Sequence, residues 1–377
     1  MDDKTCTLMV HFQGVTDPRI DRRKLHILSD IMVIAICAVV GGANSFDEIE
    51  IFGIAHEAWL RGFLSLANGI PSHDTFERLF ARINPHEFRQ CFASWTRELA
   101  GIFTDVIALD GQTHRGARSK NHLKSPIHMV SAWAVGLRLV LAQTKVDEKS
   151  NEITAIPQVL KALEINGCIV TMDAMGCQQK IAQQIIDQGG NYILGLKGNQ
   201  GLMLSAIEQH FSTTSNGQLN SFRDVDKGHG RIEIREVFTA NADTILDLKE
   251  WPGLKSAVKV VSTREIKGVS TTEDRFYLSS LPNDSVKKIA EAIRSHWSIE
   301  NSLHHVLDVT FDQDASRVRT GNATENFGVL RHIAMNILRG APHAKNSTPS
   351  INLKRKRAGM DLTYLKNILQ TTGLEKS

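Results

Sequence analysis

The stretch IAEAIRSHWSIENSLHHVLDVTFDQDASRVR, residues 289–319, combines a helical apolar pattern with acidic and histidine side chains. At about 100° per residue, Glu300 falls in the middle of an apolar stripe that consists of Ile289, Ile293, Trp297, Leu303 and Leu307. Because an unpaired carboxylate is costly to bury, the pattern predicts a cationic partner for Glu300. That partner is either a neighbouring histidine, His296 or His304, or a metal ion held between this helix and a sheet.

Length and composition indicate a globular protein. The chain has 377 residues, enough for two or three domains, with 42% hydrophobic and 23% charged residues. A net charge of +3 and a pI of about 8.5 make it weakly basic. This charge permits a nucleic-acid partner without arguing for one, so the positions of the basic residues matter more than their number.

The cysteines and the apolar segments predict a cytoplasmic protein without a membrane span. The five cysteines are scattered and form no CxxC, which favours reduced thiols over disulfides or a zinc site. The N-terminal residues show no apolar signal-peptide core. The longest apolar run, Ile31 to Val40, is too short to span a bilayer and predicts a buried helix.

Residues 1–100 are predicted to form an N-terminal helical domain. In residues 69–83 a short turn precedes a helix with Arg78 and Arg82 on its outer side. This arrangement suits a helix-turn-helix-like DNA-binding module. A plain helical bundle for packing or dimerisation fits equally well.

Residues 101–201 are predicted to form a mixed α/β sheet in the order β, β, β, α, β, α, β. Residues 106–109 and 168–172 are apolar strands that end at Asp110 and Asp173. In open α/β sheets, ligands gather at the carboxyl ends of strands. A single strand-end Asp is often only a turn former, but two of them together with Glu300 form a candidate site.

The second half of the chain is predicted to contain three further segments. Residues 202–281 are strand-rich and form a β-rich insertion. Its polar face either follows a phosphate backbone or is a solvated surface; its residues are His229, Arg231, Arg235, Lys259 and Arg264. Residues 282–345 return to the core with the Glu300 helix. Residues 346–377 form a basic tail, whose Lys354–Arg357 cluster is typical of a solvated or weakly nucleic-acid-binding patch.

Several common active-site motifs are absent from the sequence. It contains no GxxxxGK[ST], no GxGxxG after a strand, no HExxH and no GxSxG. A P-loop, a dinucleotide site, a zinc protease and an esterase are therefore not supported. The three acidic residues are the candidate chemistry that remains.

Two Asp and one Glu at a sheet edge would form an oxygen-ligand site for Mg²⁺ or Mn²⁺. Two such ions, about 3.5–4 Å apart, can hold the attacking and leaving oxygens of a phosphoryl displacement. A DNA substrate would approach through flanking cationic and amide side chains. Lys197 and Asn199, at the end of the next predicted strand, are candidates for that contact.

Five motifs resemble the insertion-sequence transposases of the DDE class, most closely the H-repeat-associated transposases. They are ALDGQT (108–113), TMDAMGCQ (171–178), LGLKGNQG (194–201), HGRIEIR (229–235) and HWSIENSLHHVLDV (296–309). The likeness runs in order over most of the chain. The chain departs from the residues usual in this family at Gln112, where Lys is common, at His305, where Trp is common, and at Gln313, where Glu is common.

The resemblance implies a ribonuclease-H-like catalytic core, with Asp110, Asp173 and Glu300 as the catalytic triad and as ligands of two Mg²⁺ or Mn²⁺ ions. It implies a transposase that hydrolyses phosphodiester bonds at element ends and joins the 3′-OH to target DNA. The expected partner is double-stranded DNA, bound by a homodimer or higher oligomer on the bacterial nucleoid. We expect DNA contacts from Lys197, Asn199, His229, Arg231, Arg235, Arg294, His296, Arg317 and Arg319.

Two other functions remain open from the sequence. One is a metal-dependent nuclease that cuts without strand transfer. The other is a catalytically decayed remnant that only binds DNA. Joined products, as opposed to nicks, distinguish a transposase from a nuclease, and the activity of triad variants distinguishes both from the remnant.

Overall fold

The structure, a computed structural model, describes residues 8–114, 127–146, 151–228, 231–245, 250–342 and 348–371. Over these residues it shows a nine-stranded sheet with the order β3-β2-β1-β4-β5-β9-β8-β7-β6. The strands are β1 (Val106–His114), β2 (Ile127–Ala134), β3 (Leu139–Lys145), β4 (Ile169–Met172), β5 (Asn191–Leu196), β6 (Asn220–Gly228), β7 (Arg231–Asn241), β8 (Ser256–Ile266) and β9 (Val269–Ser279). The predicted mixed α/β class is confirmed.

Helices cover both faces of the sheet and form a separate helical layer. They are α1 (Leu8–Phe12), α2 (Leu28–Val40), α3 (Phe46–Ala55), α4 (Glu57–Leu60), α5 (His73–Phe80), α6 (Pro85–Ala100), α7 (Glu152–Lys161), α8 (Gln179–Asp187), α9 (Gly201–Thr213), α10 (Val286–His296), α11 (His305–Thr310), α12 (Ala323–Gly340), α13 (Ile351–Met360) and α14 (Leu362–Gln370). Across the described residues, no helix is long and apolar enough to cross a membrane.

The first five strands place the two predicted aspartates side by side. Strands β1, β2 and β3 are antiparallel neighbours, whereas β4 and β5 run parallel to β1. Leu109 pairs with Met172, so Asp110 and Asp173 follow paired residues on adjacent strands. The prediction that β1 ends at Asp110 is wrong. The strand continues to His114 because β2 pairs with it over that whole length.

The strand-rich segment extends the same sheet. Strand β9 pairs antiparallel with β5, and β8, β7 and β6 follow outward as long antiparallel ribbons. Strand β6 and helix α9 were not predicted. The residues of β6, NSFRDVDKG, are mostly exposed, so the strand lacks the apolar alternation that reveals a half-buried strand. Its backbone pairing with β7 defines it instead.

The core has three parts, one on each face of the sheet and one among the helices. Helices α7 and α8 cover one face, with Leu109 among the residues in that core. Helix α10 packs on the other face against β1, β4 and β5. The N-terminal helices join α12 and the C-terminal helices in a third, helical core. Helix α2 is buried along nearly its whole length, which confirms the buried helix predicted from the run Ile31 to Val40.

The basic cluster near the C-terminus is partly a structural element of this helical core. Lys354 and Arg355 are buried, and the Lys354 ammonium donates to the Ala341 carbonyl at 3.1 Å. The prediction of a solvated or nucleic-acid-binding patch is wrong for these two residues. Lys356 and Arg357, by contrast, are exposed.

The Arg355 guanidinium joins the ends of two helices. It donates to the carbonyl oxygens of Val39 at 3.0 Å and Ala43 at 2.8 Å, near the C-terminus of α2, and to the carbonyl of Thr310, the last residue of α11. It also lies 4.3 Å from the centre of the Phe311 ring. Carbonyl groups at helix C-termini have no partner within their helix, so a buried cation at this position satisfies them.

Replacing Arg355 should therefore destabilise the helical layer. We expect Arg355→Met to lower the free energy of unfolding by about 3 kcal/mol, because several buried carbonyl oxygens lose their donor. Urea-induced unfolding followed by tryptophan fluorescence measures this change. The matched control, Lys356→Met on the exposed side of α13, should stay within about 0.5 kcal/mol of the wild type. Equal effects of the two substitutions would contradict the structural role of Arg355.

Candidate active site

The segment that carries Glu300 is not one continuous α-helix. Helix α10 ends at His296, and a π-helical turn, Glu300–His304, precedes α11. The wider π turn rotates the later residues relative to a regular helix, and such turns often occur at functional sites. Trp297 is 50% exposed and the Glu300 side chain is 57% exposed. The expectation that Glu300 lies within a buried stripe is therefore wrong, because the side chain faces a cavity.

A cavity of about 360 Å³ brings the three predicted acidic residues together. It lies where β4 and β5 end, between β9 and α10, and Asp110, Asp173 and Glu300 all line it. Lys197, at the end of β5, and His296, at the end of α10, line it as well. Three separate segments of the chain therefore contribute one carboxylate each to the same cavity.

A histidine on the π-helical turn joins two of these carboxylates. His304 Nδ1 lies 3.5 Å from Asp110 Oδ2 and 3.7 Å from Glu300 Oε2. One potential ligand atom from each of these three residues lies within 4.8 Å of the others. Asp173 stands apart from that group, and its Oδ1 accepts a hydrogen bond from the Met175 backbone N–H at 3.0 Å.

Neither His296, which lines the cavity, nor His304, which lies beside Asp110 and Glu300, supplies the positive charge that Glu300 was predicted to need. Burial lowers the pKa of His304, although Glu300 opposes the shift. Burial also lowers the pKa of His296 to about 4, and its Nδ1 lies 2.9 Å from the Thr171 hydroxyl. Both imidazoles are therefore neutral at pH 7.

The carboxylates repel one another. Burial and the charge of Glu300 raise the pKa of Asp110 to about 7, with smaller contributions from Glu152 and Asp173. The pKa of Asp173 is also raised, chiefly by burial and by Glu152, although backbone N–H groups and Lys197 act in the opposite direction. Such a crowded set of oxygen donors beside a neutral imidazole fits a divalent cation, which would offset the repulsion.

Arg275, the other basic side chain that lines the cavity besides Lys197, forms an ion pair with Glu273. Arg275 makes a two-point ion pair with Glu273 at 2.9 Å, and its guanidinium lies 4.7 Å from the centre of the Trp297 ring. Lys197 is therefore the cation of this cavity that lowers the pKa of Asp173, while Arg275 forms part of its rim. Among the described residues that line the cavity, the carboxylates therefore outnumber the lysine and arginine side chains.

The other predicted DNA contacts lie at several places. Asn199 donates its side-chain amide to the Ala174 carbonyl at 2.7 Å, so it holds the turn that follows Asp173. Arg317 is exposed and Arg319 is half-buried between α11 and α12. His229 lies outside the described residues.

Three predicted DNA-contacting arginines pair with carboxylates around a second groove. This groove, of about 730 Å³, lies between the β6–β9 ribbons and α10. Arg231 lies 3.1 Å from Glu233, Arg235 also pairs with Glu233, and Arg294 lies 2.7 Å from Asp226 and pairs with Asp224 as well. A phosphate backbone would have to compete with these carboxylates for the arginines.

Two of the three departures from the resembled family are in contact. Gln313 donates its amide to Gln112 Oε1 at 3.0 Å, and Gln112 donates to both carboxylate oxygens of Asp308 at 2.9 and 3.0 Å. Gln112 follows Asp110 by two residues, so it lies on the same face of β1. An uncharged amide pair therefore occupies the position beside Asp110. His305, the third departure, is exposed.

Sequence reasoning missed two residues near the cavity, Glu152 and His128. Glu152 acts electrostatically on Asp110, Asp173 and His304, and its carboxylate is hydrogen-bonded to His128. Its position in the first turn of α7 gives no signal by itself, because acidic residues are favoured at helix N-termini generally. Only the packing of α7 brings it to this site.

Two family models match the sequence of the chain. Residues 101–337 match the family model described as "Transposase DDE domain", and residues 9–96 match the model described as "DDE_Tnp_1-associated". The first match spans well over half of the chain. The chain therefore belongs to the DDE transposase domain family.

Within that family, the chain is similar to H-repeat-associated proteins. It is 41% identical over 376 residues to the "H repeat-associated putative transposase YhhI" of Escherichia coli K12, covering 97% of this chain and 98% of the relative. It is 39% identical over 371 residues to the "Putative transposase YncI" of Escherichia coli O157:H7, covering 96% and 94%. The resemblance to DDE-class, H-repeat-associated transposases is confirmed.

The raised pKa of Asp110 predicts an unusual dependence of stability on pH. An aspartate titrates near 3.8 in the unfolded chain and Asp110 at about 7 in the folded protein. The folded state therefore holds a proton that the unfolded state has released. This contribution is complete below about pH 4 and is lost as the pH rises through about 7.

Asp110→Asn tests this dependence, because the amide resembles the protonated acid at every pH. In EDTA at pH 8 we expect the variant to be more stable than the wild type by about 2 kcal/mol, and at pH 4.5 the difference should shrink towards zero. Urea unfolding at the two pH values measures both differences. The same stability difference at pH 8 and pH 4.5 would show that Asp110 titrates normally.

Proposed function

We propose that the protein is a transposase that uses divalent metal ions to hydrolyse phosphodiester bonds at element ends and to join the freed 3′-OH to target DNA. The convergence of Asp110, Asp173 and Glu300 on one cavity carries the proposal, in a chain that belongs to the DDE transposase domain family. We assign these residues as the catalytic triad. The substrate that we propose is double-stranded DNA, bound by a homodimer or higher oligomer in the bacterial cytoplasm.

We further propose that residues 101–201 and 282–345 form a ribonuclease-H-like core, interrupted by residues 202–281. The strand order β3-β2-β1-β4-β5, with an antiparallel β1–β3 and a parallel β4 and β5, supports this assignment. Helix α10 then returns across the opposite face of β1, β4 and β5. In this arrangement, β1 and the end of β4 supply Asp110 and Asp173, and the segment after α10 supplies Glu300 to the same site.

The triad is the part of the chain that would hold Mg²⁺ or Mn²⁺. Asp110, Glu300 and His304 would hold one ion, and Asp110 and Asp173 would hold a second. When bound, such ions orient and activate the attacking oxygen and stabilise the leaving oxygen. Neutral His304 is suited to coordination because its lone pair is free of a proton at pH 7.

Other residues of the cavity prepare it for a nucleic-acid strand. Lys197 is exposed at the end of β5 and offers a positive charge to a phosphate near Asp173. Asn199 holds the turn after Asp173 in place. Trp297, half exposed at the rim, packs against the Arg275 guanidinium, so it could offer a ring face to a nucleic-acid base.

The first test is cleavage of a supercoiled plasmid that carries the DNA flanking the gene. In Mg²⁺ or Mn²⁺ we expect cuts at the element ends and joined products, and Glu300→Gln and Asp173→Ala should reduce both by about 1,000-fold or more while DNA binding persists. Glu291→Gln, an exposed carboxylate on α10 outside the cavity, is the matched control and should cut like the wild type.

Each other outcome of that assay points to a different function. Nicks without joined products would indicate a nuclease. DNA binding without any cleavage by the intact protein would indicate a catalytically decayed remnant. Full cleavage by Asp173→Ala would overturn the assignment of the triad.

The arginines of the β6–β9 ribbons can be tested separately. If this part follows the phosphate backbone, Arg231→Ala and Arg235→Ala should each weaken DNA binding and reduce the slope of log affinity against log salt by about 1. Fluorescence anisotropy at several salt concentrations measures the slope. Lys161→Ala, at the C-terminal end of α7, is the control. An unchanged slope for both arginine variants would show that Arg231 and Arg235 stay paired with Glu233 and do not contact phosphates.

A further inference from the structure

A histidine–carboxylate pair lies against β1 next to the triad. Glu152, the first residue of α7, is 13% exposed at its side chain and is hydrogen-bonded to His128 Nε2 on β2. His128 Nδ1 lies 2.8 Å from the Thr113 hydroxyl on β1. The side chain of Asn151 caps α7 by accepting from the Ile153 backbone N–H at 3.1 Å. Strands β1 and β2 and helix α7 therefore fix the position of one carboxylate.

The pair approaches the backbone of β1 beside Asp110. A Cβ atom at Gly111 would lie 2.1 Å from Glu152 Oε1 and 2.6 Å from His128 Nε2. Both contacts are far shorter than any van der Waals separation, so this packing requires a residue without a side chain at position 111. Because Gly111 has no side chain, the Glu152 carboxylate can pack against the β1 backbone at the residue that follows Asp110.

The charge of Glu152 acts on Asp110 and His304, as that of Glu300 does, and it also acts on Asp173. Glu152 raises the pKa of both Asp110 and Asp173, whereas Glu300 raises that of Asp110. Among the neighbouring charges, Glu300 has the largest effect on the pKa of Asp110, and Glu152 has the largest effect on that of Asp173.

We propose that Glu152 is a fourth carboxylate of the metal site, that it acts on the ion held by Asp110 and Asp173, and that His128 is its positioning residue. The inference rests on the proposed metal-dependent function. It gives a role to the close approach of Glu152 to Gly111. Asp110, Glu300 and His304 would hold one ion, and Glu152 would act on the ion held by Asp110 and Asp173.

The alternative is that the pair serves packing alone, and the chain contains a matched example of that role. Glu98 lies 2.6 Å from His11 Nε2, and His11 Nδ1 lies 2.9 Å from the Ser94 hydroxyl. This hydroxyl–histidine–glutamate chain repeats the chemistry of Thr113, His128 and Glu152. It links α1 to α6 and does not line the triad cavity. Glu98→Gln is therefore the control for Glu152→Gln.

The experiment is titration of the full-length protein with Mn²⁺ in the absence of DNA, by calorimetry and by electron paramagnetic resonance of free Mn²⁺. We expect Glu152→Gln to weaken binding of the Asp173-dependent ion by about 10- to 100-fold. Glu98→Gln should bind like the wild type. Thermal unfolding and circular dichroism in EDTA confirm that each variant is folded.

A double-mutant comparison locates the effect. If Glu152 and Asp173 hold the same ion, Glu152→Gln combined with Asp173→Asn should lose less affinity than the sum of the two separate losses. Glu152→Gln combined with Glu300→Gln should lose close to the sum. Additive losses with both partners would overturn the assignment of Glu152 to the Asp173 side.

The failure of this inference differs from the failure of the proposed function. If Glu152→Gln binds Mn²⁺ like the wild type while Asp110→Asn and Glu300→Gln do not, the triad holds metal without Glu152 and the inference is wrong. If none of these substitutions changes Mn²⁺ binding, the proposed metal site itself is wrong.

Histidine variants keep the inference testable if Glu152→Gln does not fold. His128→Gln retains an amide that can donate to Glu152, and we expect Mn²⁺ affinity near that of the wild type. His128→Leu removes the donor and should lower the affinity by about tenfold. Equal affinity of the two folded variants would overturn the positioning role of His128.

Discussion

Mutual repulsion among carboxylates that share one cavity is the constraint on which the rest of the site depends. Asp110, Asp173 and Glu300 share one cavity, and burial together with neighbouring charge raises the pKa of both aspartates. No isolated loop would hold such groups together, because each would turn outward to water. The sheet prevents this by fixing Asp110 and Asp173 on adjacent, hydrogen-bonded strands. The free energy stored in this repulsion is what a divalent cation would release on binding.

The position of Glu300 depends on a second structural device. The chain crosses the sheet as α10 and then changes helical register in a π turn, which exposes Glu300 to the cavity while Leu303 and Leu307 stay buried. Helix α11 then ends at Thr310, whose carbonyl accepts from Arg355 of α13. The C-terminal helices therefore anchor the end of the segment that carries Glu300. The basic cluster Lys354–Arg357, which resembles a surface patch in the sequence, thus includes a residue, Arg355, that holds the end of α11.

The β6–β9 ribbons give the same sheet a second, differently charged surface. Arg231 and Arg235 of the ribbons pair with Glu233, and Arg294 of α10 pairs with Asp224 and Asp226 of β6, so charge on this side is balanced locally. The triad cavity, in contrast, has an excess of carboxylates. The two grooves share Arg275 and Trp297 at their common wall. A ligand bound in one groove would therefore contact residues that also line the other groove.

The sequence by itself determined the mixed α/β class, most of the strands and helices of residues 101–201, the buried helix α2 and the three acidic candidates. These follow from local periodicity and from motifs of adjacent residues, which depend little on distant contacts. Only the tertiary structure decided that β1 continues past Asp110, that β9 joins the strand-rich segment to the core sheet, and that Glu300 faces a cavity. It also decided that Arg355 is buried and that Glu152 and His128 pack against Gly111, the residue after Asp110. Each of these depends on pairing or packing between residues far apart in the chain, which leaves no periodic signal in the sequence.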